Sequence, residues 1–277
     1  MFLRKKLRQC LSLVYGGKRY RQWYWWSYRY RFRKRYCETG LSVDGHVLKI
    51  ADTASFLYTW KEIFVDEIYR FSCSAPIPVI LDLGANIGLS VLYFKRLFPA
   101  CRIYAYEPDP YIFEILQRNV TEFHLTDVTL VNEAVAEFSG ELGFKSDHAD
   151  GGCIRPDGEV KVKAKDIRLL LERFERIDFL KVDIEGAERM VIPAAGQLLQ
   201  RVENIFVEYH SRIGEAQLLA GVIETLESAG FRLVIQSAPV VLPPLAADLE
   251  GRQFDTQLSI WGKRQTDHGR VQSSLTE

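Results

Sequence analysis

Apolar positions change period along this chain, from runs and alternations that read as strands to three-to-four spacings that read as helices. The clearest unit is Val79-Ile-Leu-Asp82-Leu-Gly84-Ala-Asn-Ile-Gly88, followed by Leu89–Phe98. Val79, Ile80, Leu81 and Leu83 read as a strand buried on both faces, and Leu89, Leu92, Tyr93, Leu97 and Phe98 recur at helical spacing. Further strands are predicted at Arg102–Glu107, Val128–Asn132, Ile177–Asp183 and Glu203–His210, with a helix through Ile112, Phe113, Leu116 and Val120 after the first of these. Residues 140–165 break the rhythm: Glu141–Lys145 and Glu159–Lys165 read as a hairpin insertion. Near the end, helix Glu215–Ala229 precedes strands Phe231–Gln236 and Asp255–Trp261, which suit an antiparallel edge hairpin. Before the first core strand, Leu41–Ile50 alternates around Asp44-Gly45, a hairpin signal, and Thr53–Phe71 reads as one helix. The pattern is α/β: a Rossmann-like, mostly parallel sheet with an N-terminal helical extension.

Composition adds the front of the molecule. With 277 residues, 47% of them hydrophobic, one large domain plus an extension is expected. We divide it into a basic-aromatic arm (1–40), a cover of hairpin and helix (41–75), the main domain (76–265) and a polar tail (266–277). The 36 basic and 36 acidic residues cancel overall, yet residues 1–36 carry 12 Lys/Arg, no acid and 11 aromatics. The remainder holds 24 basic residues against 36 acids, a net charge of −12. That mixture in the arm favours an anionic membrane surface; stacking on nucleic acid and packing on the protein itself are the other two readings. Cys10, Cys37, Cys73, Cys101 and Cys153 form no Cys-x-x-Cys pair, and their odd number suits a reducing cytoplasm. No stretch approaches the roughly 18 apolar residues of a membrane span. A cytoplasmic protein, peripheral to the inner face of the membrane at most, is expected.

Candidate chemistry gathers at the strand ends. Gly84 and Gly88 leave bare backbone where a ligand comes close, with Ala85 and Asn86 between them. Dinucleotide sites use Gly-x-Gly-x-x-Gly around a pyrophosphate. Here the spacing is Asp82-x-Gly84-x-x-x-Gly88, and a carboxylate there suits an ammonium or a ribose hydroxyl better than a phosphate. That points to S-adenosylmethionine. Glu107, about 20 residues past the glycines, is placed for ribose hydroxyls. Pro108 stops its strand and Asp109 caps the next helix. Asn132 and Ala134 follow the third strand, where Asn132 can bond an adenine and Ala134 leaves it room. Asp183, Glu185 and Glu188 lie on the turn after Ile177–Asp183, with Gly186 allowing a sharp bend, and Glu208 and His210 alternate at the end of the fifth strand. Asp147, His148 and Asp150 read as a solvated loop rather than metal ligands.

Val79–Gly88, Tyr106-Glu-Pro108, Asn132-Glu-Ala134, Phe179–Glu188 and Phe206–His210 together resemble the FkbM-type S-adenosylmethionine-dependent methyltransferase family, over about residues 60–265. The resemblance implies a class I methyltransferase sheet and O-methylation of hydroxyls on sugars and polyketide-type products. An alkyl hydroxyl needs a base to become a nucleophile. Asp183 and His210 are the candidates, Glu208 would orient His210 or bind a sugar hydroxyl, and Glu185 and Glu188 would meet substrate. A variant seats a divalent cation on Asp183, Glu208 and His210; the metal-free base is the favoured reading. The acceptor is expected to be a small molecule or glycan, chosen by residues 140–165 and 239–252. A ribose methyltransferase guided by the arm is one alternative, although Asp183-Ile-Glu-Gly186 would repel phosphates. A membrane-docked, non-catalytic module is another.

Overall fold

The computed structural model describes residues 17–147, 149, 151–155, 158–237 and 253–264. His148, Asp150, the start of the arm, all of 239–252 and the tail 266–277 lie outside the described residues.

The arm contributes helix α1 (Lys18–Arg29). Strands β1 (Thr39–Val43) and β2 (His46–Ile50) then form the expected antiparallel hairpin, with Val43 paired to His46. Helix α2 (Thr53–Trp60) is capped by the Asp52 carboxylate, which accepts the Ser55 N–H at 3.0 Å. It is shorter than the helix expected to Phe71. One π turn (Lys61–Val65) follows, and the chain leaves the helical path as Glu67 takes a left-handed φ of 54°. Trp60 and Phe64 stack across that turn with ring centroids 4.1 Å apart.

The core follows as β3 (Val79–Leu83), α3 (Leu89–Leu97), β4 (Arg102–Tyr106), α4 (Pro110–Glu122) and β5 (Val128–Val131). β6 (Ala134–Ala136) joins β7 (Gly140–Lys145), β8 (Cys153–Ile154) and β9 (Val160–Asp166) of the insertion in a four-stranded sheet ordered β6-β9-β7-β8. After α5 (Ile167–Leu171) come β10 (Phe179–Val182), α6 (Glu188–Ala195), β11 (Asn204–Arg212), α7 (Leu219–Ser228), β12 (Phe231–Ser237) and β13 (Phe254–Arg264). The main sheet runs β12-β13-β11-β10-β3-β4-β5. β3, β10 and β11 are parallel neighbours, as are β4 and β5, whereas β13 pairs antiparallel with both β11 and β12. This is the α/β architecture read from the apolar pattern, with β12 and β13 as its antiparallel edge hairpin.

Two compact units make up the chain. One holds Met1–Pro78, Gly84–Ala134 and Glu141–Lys163; the other holds Val79–Leu83, Val135–Gly140 and Ala164–Glu277. Within the first, α1 is an integral layer. The Trp23 indole N–H donates to the Leu57 carbonyl at 2.8 Å. Trp26, 3% exposed, meets Phe56 and Trp60 edge-on with centroids 5.3 and 5.0 Å away. Asp44 in the β1–β2 turn accepts from Arg19 at 2.6 Å and from Lys18 at 3.2 Å, and also binds Arg96. Chiefly through the Arg19 hydrogen bond, its carboxyl is held down at about 2. The described part of the arm is therefore packed, although Trp25, Tyr28, Phe32 and Tyr36 face outward. No described helix is long and apolar enough to cross a membrane.

Candidate active site

In the first unit the turn after β3 closes on the end of β4. Gly84, Asn86 and Gly88 all have positive φ (82°, 48° and 90°), which tightens the chain into a cradle of backbone. The N–H groups of Gly84 and Ala85 both donate to the Tyr106 carbonyl at 2.9 Å. Glu107, 6% exposed, accepts the Asn86 N–H on Oε2 at 2.8 Å and the Asp109 N–H on Oε1 at 2.9 Å. Its charge is thus fixed in place before any ligand arrives. A Cβ on Gly88 would stand 2.7 Å from Leu116 Cδ1, so helix α4 packs directly on the turn. Asp109 caps α4 through the N–H groups of Tyr111 (2.9 Å) and Ile112 (3.4 Å), and Pro108 precedes it. Asn132 donates its amide to the Glu107 and Pro108 carbonyls at 2.8 and 3.0 Å, while Ala134 is buried. Asn86 also reaches the insertion, donating to the Ala149 carbonyl at 3.1 Å.

Residues 84–88 and 107–109 contain no Lys or Arg to hold a phosphate. A fixed carboxylate beside glycine backbone is instead the acceptor a ribose diol calls for, so this turn fits an adenosyl group without a phosphate. Gly84, Ala85, Asn86, Gly88, Glu107 and Pro108 lie together there, with Asn132 and Ala134 at the next strand end.

Asp82 belongs to the second unit and does not present an open charge. It is 0% exposed, and its Oδ1 lies 3.4 Å from the ammonium of Lys181. Lys181, 3% exposed, also meets Asp183 Oδ2 at 3.3 Å and donates to the Leu83 carbonyl at 3.4 Å. Burial alone would lower the Lys181 pKa, but Asp183 and Asp82 outweigh it and raise it. The motif around Lys181 is visible in the sequence, yet the lysine itself carries no periodic signal. What could have exposed it is a charge in the middle of Phe179–Val182, all four residues of which are buried, since such a charge must have partners.

After β10 the chain turns through Glu185 (φ 55°) and Gly186 (φ 103°) into α6. Glu188, fully buried, accepts the N–H groups of Ile184 (2.8 Å) and Gly186 (2.9 Å) and therefore shapes that turn. Its Oε1 also stands 3.3 Å from His210 Nδ1. His210 is 2% exposed; burial would lower its pKa, but Glu188, with Glu185 and Glu208, lifts it to about 10, so the imidazole is cationic at neutral pH. The Glu185 pKa is also raised, well above the usual carboxylate range, because burial outweighs the attraction of His210. Glu208 accepts from Gln257 of β13, the residue paired with His210 across the two strands. Arg212, two residues past His210 and unmarked by the sequence reading, donates to the Glu185 carbonyl at 2.8 Å. Asp183, Glu185 and His210 thus come together, Glu188 supports them from below the surface, and Glu208 lies close enough for its charge to act on His210.

Comparison with known proteins identifies the family. The model of the methyltransferase FkbM domain matches residues 82–233, more than half of the chain. Methyltransferase sdnD of Sordaria araneosa is 30% identical over 241 residues, covering 73% of this chain and 82% of that protein. The 2-O-methyltransferase NoeI of Sinorhizobium fredii is 27% identical, covering 58% of this chain and 75% of its own length. The 31-O-demethyl-FK506 methyltransferase FkbM of Streptomyces tacrolimicus is 26% identical, with 69% and 86% covered. With the matched segment beginning at the acid of the cradle strand and running past the acid and histidine cluster, this chain belongs to the FkbM family of S-adenosylmethionine-dependent methyltransferases.

Proposed function

We propose that this methyltransferase acts on a hydroxyl of a sugar or another hydroxylated small molecule. The observation that carries the reading is the group formed by Asp183, Glu185 and His210 at the C-terminal ends of β10 and β11, the end of a parallel sheet where ligands sit. Carboxylates at that rim bond hydroxyls well and repel the phosphates of a nucleic acid. Two relatives, NoeI and FkbM, carry names that specify an oxygen acceptor.

In this reading Gly84, Ala85, Asn86, Gly88, Glu107 and Pro108 hold the cofactor, with Asn132 and Ala134 beside the base. S-adenosylmethionine supplies an electrophilic methyl group, so the protein's own task is to orient the acceptor oxygen and take its proton. Asp183 takes that proton, its carboxylate steered by the buried Lys181. His210 is no base while it carries a proton; beside Glu188 it contributes a fixed positive charge. Glu185 and Glu208 meet the acceptor's hydroxyls, and Glu188 builds the turn. Asp82 orders the strand end through Lys181 rather than touching the cofactor.

Calorimetric titration of S-adenosylmethionine into wild type and Glu107→Ala tests the first half. We expect the variant to bind about 10- to 100-fold more weakly, the value of hydrogen bonds to a charged group. Labelled methyl transfer to a panel of sugars and polyols tests the second, with Asp183→Asn lowering turnover by about 100-fold or more. Transfer to nitrogen acceptors alone, or an undiminished Asp183→Asn rate, would sink the proposal.

A further inference from the structure

We propose that Asp183, Glu185 and His210 bind one divalent cation of the manganese class. This rests on the reading of the same cluster as the acceptor site. One ligand atom from each residue lies within 4.8 Å of the other two. An ion at their centre would be roughly 3 Å from each, so closing to bonds of about 2.1 Å takes side-chain movements of under about 1 Å.

His210 has the build of a ligand rather than of a packed core residue, and an ion bound at Nε2 would displace the proton that the imidazole carries without it. It is 2% exposed, and Nδ1 is engaged by the fully buried Glu188 at 3.3 Å. Nε2 is directed at the cluster, where Glu185 Oε2 stands 4.0 Å away, outside hydrogen-bonding distance. An imidazole with one nitrogen fixed by a carboxylate and the other aimed at acidic groups is the arrangement that orients metal-bound histidines. The orienting carboxylate is built into the same turn as the other two ligands. Glu188 accepts the Ile184 and Gly186 N–H groups, and Arg212 holds the Glu185 carbonyl at 2.8 Å. Shifts of this turn would move Asp183, Glu185 and the anchor of His210 together.

The donor set selects the ion. Two carboxylates and one imidazole suit Mn²⁺ or Mg²⁺, whereas zinc and copper sites favour more nitrogen or sulfur. With three protein ligands, coordination positions remain for two adjacent hydroxyls of an acceptor. An ion there would lower the pKa of the bound hydroxyl and fix which oxygen receives the methyl group. Lys181, on Asp183 Oδ2 at 3.3 Å, keeps part of that carboxylate for the protein, so the ion takes it through one oxygen.

The test is titration of the full chain with Mn²⁺ alone, the free ion being followed by electron paramagnetic resonance. We expect one saturable site in wild type and a loss of affinity of about tenfold or more in Asp183→Asn and in Glu185→Gln. Thermal melts establish that each variant is folded, and if Asp183→Asn is not, Glu185→Gln carries the comparison. No saturable site in wild type, or a site untouched by both substitutions, overturns the proposal. Methyl transfer at full rate after exhaustive chelation overturns it too, while leaving the hydroxyl acceptor intact. A saturable ion in a protein that binds cofactor yet methylates no hydroxyl upholds the metal site and removes the acceptor reading instead.

Discussion

A lysine inside an all-buried strand costs several kcal/mol unless carboxylates surround it, and Lys181 has Asp82 at 3.4 Å and Asp183 at 3.3 Å. Lys181→Met would leave the fully buried Asp82 without its cation. We expect that variant to lose about 3–5 kcal/mol of unfolding free energy, read from urea midpoints. Adding Asp82→Asn should recover much of the loss, because the uncompensated charge disappears with it. This pairing also marks where the sequence stops being legible. Spacing gives Asp82 a place at a strand end, and the resemblance adds a motif around residue 183, but neither says that β10 pairs with β3 so that Lys181 meets Asp82. Glu107, by contrast, gathers its bonds from Asn86 and Asp109, both close to the turn that the glycine pattern predicts.

Among the elements, α1 is tied to the β1–β2 turn by one carboxylate. Asp44 receives Lys18 and Arg19 from the helix and Arg96 from α3. Because its folded pKa is about 2, below the usual value near 3.8, the pairing contributes fully above pH 4 and is lost as pH falls from about 4 towards 2. Asp44→Asn should remove that dependence and speed amide exchange in Lys18–Arg29 by about fivefold, equivalent to about 1 kcal/mol. The turn between β3 and α3 is less tolerant. At Gly88 a φ of 90° and the 2.7 Å approach to Leu116 both resist a side chain, so Gly88→Ala should cost about 1–3 kcal/mol in melting experiments and weaken cofactor binding. The strands of the main sheet were legible because each apolar run is short and bounded by Gly, Pro or acids. The π turn was not, since Lys61–Val65 keeps the apolar spacing of an ordinary helix, and only the left-handed Glu67 ends it.

For the whole molecule the net charge of zero is misleading, because 12 of the 36 basic residues fall in the first 36 positions and no acid does. Such a distribution lets the basic segment of one copy attract the acidic remainder of another. Sedimentation velocity should show association at about 20 mM salt that weakens at about 200 mM, where screening shortens the range of these charges. The basic arm was plain in the sequence; its packing was not, because Trp23 and Trp26 differ from Trp25 only in which way a helix turns them. The buried ammonium of Lys181 has one more consequence for the intact protein. Reagents that acylate lysines reach it only when this part of the sheet opens, whereas Lys18, with 76% of its side chain exposed, reacts at once. The slow appearance of a tag on Lys181 is therefore a clock for the opening of the core, readable by mass spectrometry without any engineered label.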